Sequence, residues 1–435
     1  MGDLDGIAAS PQPAGFTYVR LVLLGALVGI PAAVVAALFL GLVHELEQWL
    51  WTDLPDALGE SSPPWYLVLG LPVTGAAIVL AARTLLPGDG GHPPLAGLNP
   101  GPLPLSHAPG IALAAVGTLG FGAVLGPEAP VIALGAIVGI AVTSFARLQV
   151  KESGAMAAAG SFSAISALFG GPLVAGVMMT EAAGARLGAA LVPALLPGFV
   201  AAAVGYVIFV GFGDWGGLDT PGLAVPDLEL YDGTHVGDLL VAVGVGIVTA
   251  ILLTLIHRLA TGPAADGARR LGLATSLLGG GLAVGVLALL ADGLGADLTE
   301  VLFSGQNSIA PLVAEGSTGI VLVLLVAKGL AYAICLSCGF RGGPIFPAVF
   351  LGIGVATLPV VWFDVSPTFA VAVGAAAGMT AHSKFIVTSM LFAALLVGTD
   401  GFDTAPGAVL AAAAAWITVT ALERRRPVSA GVATP

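Results

Sequence analysis

Eleven apolar runs dominate this chain, at roughly residues 17–43, 65–82, 110–147, 154–180, 187–212, 239–256, 272–291, 318–338, 344–363, 368–397 and 406–422. Each is near or above the ~20 residues a helix needs to span a bilayer. Charged residues make up 9% of the sequence, against about 25% in an ordinary soluble domain. The runs therefore predict an all-α integral membrane protein with ten or more membrane-embedded segments, read as one transmembrane domain over residues 1–435. Several runs are too long, or too broken by glycine and proline, to be one straight helix.

One interruption occurs twice. Leu125-Gly126-Pro127-Glu128-Ala129-Pro130 is echoed 217 residues later by Gly342-Gly343-Pro344-Ile345-Phe346-Pro347. Seven of twenty positions are identical between 120–139 and 337–356, without a gap. Gly122 matches Gly339, and Pro94-Leu95 matches Pro311-Leu312. The offset is half the chain length. It divides the chain into a first repeat at about 17–213, a polar connector at 214–238, a second repeat at about 239–423 and a short tail at 424–435. Internal duplication is common in secondary transporters, whose sites lie at the repeat interface near the midplane.

The motif has a physical reading. Proline is favoured at the first helical position, because its missing N–H would be unpaired there anyway. The glycines before it permit an irregular entry. Each copy is thus expected to start a helix within the bilayer. Helix starts present unpaired N–H groups and about half a positive charge, so two of them meeting make an anion site without lysine or arginine. Only one copy carries a charge, at Glu128. An acid inside a membrane is costly and by default functional. Ionised, Glu128 can occupy the place an anion would take; protonated, it has no reason to stay. That is a gate.

Other polar residues carry less. Glu181 closes the apolar stretch that opens at Phe169-Gly-Gly-Pro172, and reads either as a proton relay or as a helix-end acid paired with Arg186. His92, His107, His257 and His382 have no metal-ligand spacing, and Cys335 and Cys338 read as two small buried residues on one helix face. No cofactor or metal is expected. Lys328 and Lys384 read as cations snorkelling to an interface.

The net charge of −12 does not count against an anionic cargo, because most acids lie outside the apolar runs. A pore is set by local fields. The acidic start, Met1-Gly-Asp-Leu-Asp, does not look like a cleavable signal peptide. Arg424-Arg425-Arg426 follows the last run, which by the positive-inside rule puts the C-terminus in the cytoplasm of a bacterial-type inner membrane.

These residues resemble the CLC family of voltage-gated chloride channels and chloride/proton antiporters. The stretch ending Leu-Gly126-Pro-Glu128-Ala-Pro130 looks like the family's G-[KR]-E-G-P turn. Gly342-Gly-Pro-Ile-Phe-Pro347 looks like its G-x-F-x-P turn, and Gly88-Asp-Gly-Gly-His-Pro93 stands in the place of its G-S-G-I-P turn. Phe169-Gly-Gly-Pro-Leu-Val-Ala-Gly resembles the stretch leading to the family's internal glutamates. The resemblance implies two inverted-topology repeats with tilted, partly half-membrane helices, and one pore per subunit of a homodimer. It implies anion transport, with chloride the first expectation, protons as a second cargo, and no nucleic-acid partner. Glu128 falls on the gating glutamate. Gly90, Gly91, Gly126, Ala129, Gly343, Ile345 and Phe346 fall on the anion-binding turns, and Glu181 on the first internal glutamate.

The chain departs from the family pattern at several places. Gly90 or Gly91 replaces the serine of the first turn, Pro127 the basic residue before the gating glutamate, and Ala182 the second internal glutamate. No tyrosine follows Tyr332, where the family has a late pore tyrosine. Alternatives are a transporter of another solute or halide such as fluoride, or an intramembrane serine enzyme built on Ser161 or Ser163 with His257 or His382.

Overall fold

A computed structural model describes residues 15–97, 101–145, 150–187, 191–216 and 223–424. The acidic start, residues 217–222 of the connector, and Arg425 and Arg426 lie outside the described residues, as does the side chain of Arg186.

Among the described residues the chain is built from helices, and the sole β-pairing is one isolated bridge. Helix α1 (Gly15–Gln48) runs through a π-turn into α2 (Leu54–Ala57), followed by α3 (Trp65–Leu85) and α4 (Ala108–Leu119). Then come α5 (Glu128–Phe145), α6 (Val150–Leu168), α7 (Pro172–Leu187) and α8 (Leu191–Gly216). After the connector stand α9 (Val236–Thr261), α10 (Pro263–Leu271), α11 (Leu273–Asp292), α12 (Leu298–Val301) and α13 (Ile309–Ala314). The last five are α14 (Thr318–Ser337), α15 (Ile345–Phe363), α16 (Pro367–Ser383), α17 (Ile386–Leu396) and α18 (Ala405–Arg424). Nine helical segments are long and apolar enough to cross a membrane, and four shorter apolar helices accompany them, among the described residues. Their outward residues, such as Leu23, Leu27, Leu240 and Val326, are large and apolar. Such a surface suits lipid, not water.

The contacts divide the chain into two compact units, each discontinuous in sequence. The first gathers residues 1–39, 98–108 and 131–220. In it α6, α7 and α8 pack together, and Val28, Met156, Ala159 and Ala201 form a buried cluster. Side-chain hydroxyls satisfy backbone carbonyls there: Ser161 donates to Ile132, Ser163 to Gly29 and Ser166 to Ala202. No histidine lies in that hydroxyl set.

The second unit gathers residues 40–97, 109–130 and 221–435. Its centre is α15, buried from Ile345 to Leu358 and packed on α16. Helices α9, α13 and α14 also pack against α15, while α18 pairs with α9 and α3 with α11.

The helices opened by the two motif copies each pack through a glycine. Within the first, Gly135 of α5 meets the Gly160 backbone of α6, where a Cβ would lie 2.5 Å from the carbonyl oxygen. Within the second, its repeat partner Gly352 of α15 meets Gly374 and Gly378 of α16 in the same manner. Small residues let the two backbones approach, as in membrane helix pairs generally. Gly122 and Gly339, also partners, both take a left-handed conformation (φ 88° and 104°), which side chains other than glycine rarely adopt.

Candidate functional site

The two motif copies touch each other. Gly126 N–H donates to Gly343 O at 2.6 Å, and Gly343 N–H donates to Gly126 O at 2.5 Å. This is the one antiparallel bridge among the described residues. The helices open just after it: α5 at Glu128 and α15 at Ile345, with Pro344 as N-cap (φ −96°, ψ −4°). The prolines therefore stand one position before the first helical residue, where they were expected to be that residue. The bridge pairs the two glycines, and each helix is counted from the residue after its proline.

Glu128 is fully buried at the start of α5. Its Oε1 accepts the Phe346 N–H at 2.7 Å, so an acid on one helix start caps the helix that opens the other copy. The amides of Ile345 and of Glu128 itself add to the positive field at the carboxylate. Oε2 is buried with no hydrogen-bond partner among the described residues. A Cβ on Gly343 would overlap the carboxylate, and one on Gly126 would crowd it as well. Both glycines are thus needed for the acid to lie where it does. Ala129 is the next residue along α5 and is half-buried.

Gly90 and Gly91 take positive φ (67° and 97°) in the turn before α4. No contact of theirs with Glu128 is seen. Their turn is tied to the second motif instead, through Asp89. Arg83 Nε donates to Asp89 Oδ1 at 2.8 Å, and Arg83 Nη1 to Gly339 O at 2.7 Å. Arg341 Nε donates to Asp89 O at 3.0 Å, and its Nη2 to Asp89 Oδ2. Arg341 N–H also donates to Thr118 Oγ1 at 3.3 Å. Burial on its own would raise the Asp89 carboxyl, but Arg83 and Arg341 outweigh it and hold the group below its ordinary value. This clamp was not anticipated; a lone arginine one residue before the second motif was its signal.

Glu181 lies in α7 of the first unit, and α7 does begin at Pro172 after two positive-φ glycines, Gly170 and Gly171. Cys335 is buried, and its Sγ accepts the Val124 N–H at 3.2 Å. Lys384 is exposed and pairs with Glu423 at 2.7 Å. Lys328 does not snorkel. It is fully buried, and its Nζ donates to the carbonyls of Glu300, Val301 and Leu302 at 2.7, 3.3 and 2.8 Å. Its charge also lies 4.3 Å from the centre of the Phe350 ring. The open carbonyls at the end of the four-residue α12 offer an interior ammonium better partners than distant water would.

A further group was missed by sequence reasoning. The buried Tyr332 hydroxyl donates to Pro344 O at 2.7 Å and lies 3.4 Å from His382 Nδ1. The His382 and His257 rings are 5.2 Å apart. These residues come from α14, α16 and α9, so no local spacing could have revealed them.

Two groups of cavities adjoin the second unit's site. One, of about 60 Å³, is lined by Pro127 and Leu125 together with His44, Glu47, Ser304, Gln306 and Asn307. It shares His44, Glu47 and Ser304 with a cavity of about 360 Å³ that Asp297 and Glu300 also line. A separate cavity of about 260 Å³ is lined by His257, Arg258, His382, Lys384 and Glu423.

Residues 92–420 match the voltage gated chloride channel family. Over 361 residues the chain is 27% identical to YfeO of Escherichia coli (strain SMS-3-5 / SECEC), a protein named for ion transport, with 80% of each chain covered. YfeO of Escherichia fergusonii gives the same identity and coverage. Among solved structures the fold is similar to a slow cyanobacterial Cl⁻/H⁺ antiporter, with a TM-score of 0.75, 16% identity and 96% of both chains covered. It is similar also to a CLC-type fluoride/proton antiporter, with a TM-score of 0.66, 18% identity, and 94% of this chain and 98% of that one covered. The duplicated helix starts, the acid at their meeting point and a family match over most of the sequence lead to one conclusion: the chain belongs to the CLC family of voltage gated chloride channels and transporters.

Proposed function

We propose that this protein carries small anions, chloride first, across a membrane, and that Glu128 is its proton-sensitive gate. The observation that carries this reading is the Glu128 carboxylate on the Phe346 amide. A carboxylate held by a helix-start N–H is a stand-in for a small anion held there. The donors available to an anion are the amides of Ile345 and Phe346, since Pro344 has none.

The steps follow from charge. Ionised Glu128 occupies the amides and excludes an anion. Protonation removes its charge and most of its attraction to the helix start. The side chain then leaves, and an anion takes the amides. Return of the carboxylate requires loss of the proton and displacement of the anion. Proton and anion occupancy are thereby linked. Gly126, Ala129 and Gly343 shape the chamber. Gly90 and Gly91, through the Asp89 clamp, fix the segment leading into the second motif, and Glu181 is a second acid available to protons in the first unit. The working form is a homodimer of duplicated subunits in the cell's inner membrane, with the C-terminal Arg424 region cytoplasmic. Family membership sets aside the intramembrane-enzyme reading, because CLC members are channels or transporters.

The test is flux from proteoliposomes loaded in turn with chloride, fluoride or nitrate, recording anion efflux and external pH together. Transport of at least one anion with acid-dependent rate is expected. No efflux of any of the three would sink the reading. An unaltered rate and pH profile in Glu128→Gln would remove Glu128 as the gate.

A further inference from the structure

The polar groups nearest the helix start form a file. Tyr332 Oη sits on the Pro344 carbonyl, one residue from Gly343, against which the Glu128 carboxylate lies. Behind the hydroxyl stands His382 Nδ1 at 3.4 Å, and behind that ring stands His257 at 5.2 Å. Both imidazoles line the cavity of about 260 Å³, where the remaining charged groups are Arg258, Lys384 and Glu423. Four elements, α9, α14, α16 and α18, contribute to this file and its cavity. Apolar residues fill the surroundings: Ala331, Ala333, Ala381 and Phe392 are buried. Polar side chains in such a setting are costly unless they act.

We infer that Tyr332 and His382 carry protons between Glu128 and the cavity lined by His257, Lys384 and Glu423. The inference rests on Glu128 being the gate. In one direction, doubly protonated His382 passes its Nδ1 proton to Tyr332 Oη. The hydroxyl proton of Tyr332 swings off the Pro344 carbonyl and moves to the Glu128 carboxylate. His382 ends neutral, Tyr332 is again a neutral phenol, and Glu128 is a carboxylic acid. No oxidant or cofactor is consumed. His382 regains its proton from the cavity, directly or by way of His257. The reverse sequence discharges Glu128. Arg258 and Lys384, fixed cations at the mouth, draw anions to the cavity and oppose charging of the histidine pair, so the relay hands protons on and does not store them.

The experiment measures protons moved per anion in the same proteoliposomes. It compares full-length wild type, Tyr332→Phe, His382→Gln and Glu128→Gln. Tyr332→Phe removes a single oxygen from a buried ring and preserves its volume. Both relay variants should lower the proton-to-anion ratio by about a hundredfold, the smaller end of what a positioned proton donor contributes. Glu128→Gln should abolish pH dependence altogether. An unchanged ratio in Tyr332→Phe and His382→Gln overturns the relay, while Glu128→Gln still judges the gate. Wild-type anion efflux with no proton movement also overturns the relay. A wild-type protein that moves no anion removes the functional reading first. A reduced ratio in both relay variants with acid-dependent wild-type efflux supports the proposal.

Discussion

The Phe346 amide donates to Glu128 Oε1 at 2.7 Å, joining residues 218 apart in sequence. One copy of a duplicated motif thereby places its charge on the helix start of the other. The bridge between Gly126 and Gly343 makes this reach possible, because it brings the two motif segments to hydrogen-bonding distance just before each helix begins.

Gly343→Ala tests that geometry. The added methyl would overlap the Glu128 carboxylate. Overpacking of this kind costs about 1–3 kcal/mol unless the side chain moves. Two readouts are expected together: a lower thermal midpoint in detergent, and a weaker pH dependence of anion efflux as the carboxylate is pushed from the Phe346 amide. Wild-type values of both would show that Glu128 does not rest where it is described.

Lys328→Met tests the buried cation. Methionine keeps the volume but leaves the carbonyls of Glu300, Val301 and Leu302 without their donor. Each unpaired buried carbonyl costs about 1–3 kcal/mol, and relief of ammonium desolvation offsets part of the sum. A net loss of about 2–4 kcal/mol follows, read as a fall in the midpoint of chemical unfolding. A neutral result would mean that water reaches those carbonyls.

Asp89→Asn tests the clamp. Arg341 is buried and needs a counter-charge, while Asp89 itself is more than half exposed. Arg83 and Arg341 hold the Asp89 carboxyl below its ordinary value. A lowered acid contributes stability above its unfolded pKa, about 4, and loses it as pH falls through the lowered value. Wild type should therefore melt higher than Asp89→Asn at pH 7, and the gap should close on acidification below about pH 4. A pH-independent gap would show that the charge is not what matters.

Glu300→Gln has the opposite sign. Burial, and then the nearby Asp297, push Glu300 up to about 7, with the Lys328 charge pulling the other way. A raised acid costs stability only where folding opposes its ionisation. The cost is absent below about pH 4, grows between there and the raised value, and is full above it. The variant should match wild type at acid pH and exceed its thermal midpoint at pH 8. A variant that is less stable at pH 8 would show that the ionised carboxylate is needed.

The helix starts that frame the candidate site were legible because their signals are local. The glycines and prolines at 126–130 and 343–347 announce helix starts, and the starts lie within one residue of the expected position. The opening of α7 at Pro172 was legible for the same reason. The Asp89 clamp, the carbonyl cage around Lys328 and the Tyr332–His382–His257 file were not. Each joins elements far apart in the chain, where spacing carries no information. Lys328 shows the limit most clearly. Its sequence neighbours are apolar, so a route to water was the natural reading, yet the end of a four-residue helix supplied three carbonyls nearby.

The sequence by itself determined that this is a helical membrane protein with a duplicated helix-breaking motif and one acid to distinguish the copies. Hydrophobic run length and the backbone limits of proline and glycine act within a few residues, so a linear reading captures them. Only the tertiary structure decided that Glu128 caps the opposing helix, that Gly126 and Gly343 pair with each other, and that Tyr332 stands beside them. Those relationships depend on which helix starts meet, and that is settled by long-range packing through residues such as Gly352 and Gly378, where one missing side chain lets two backbones touch.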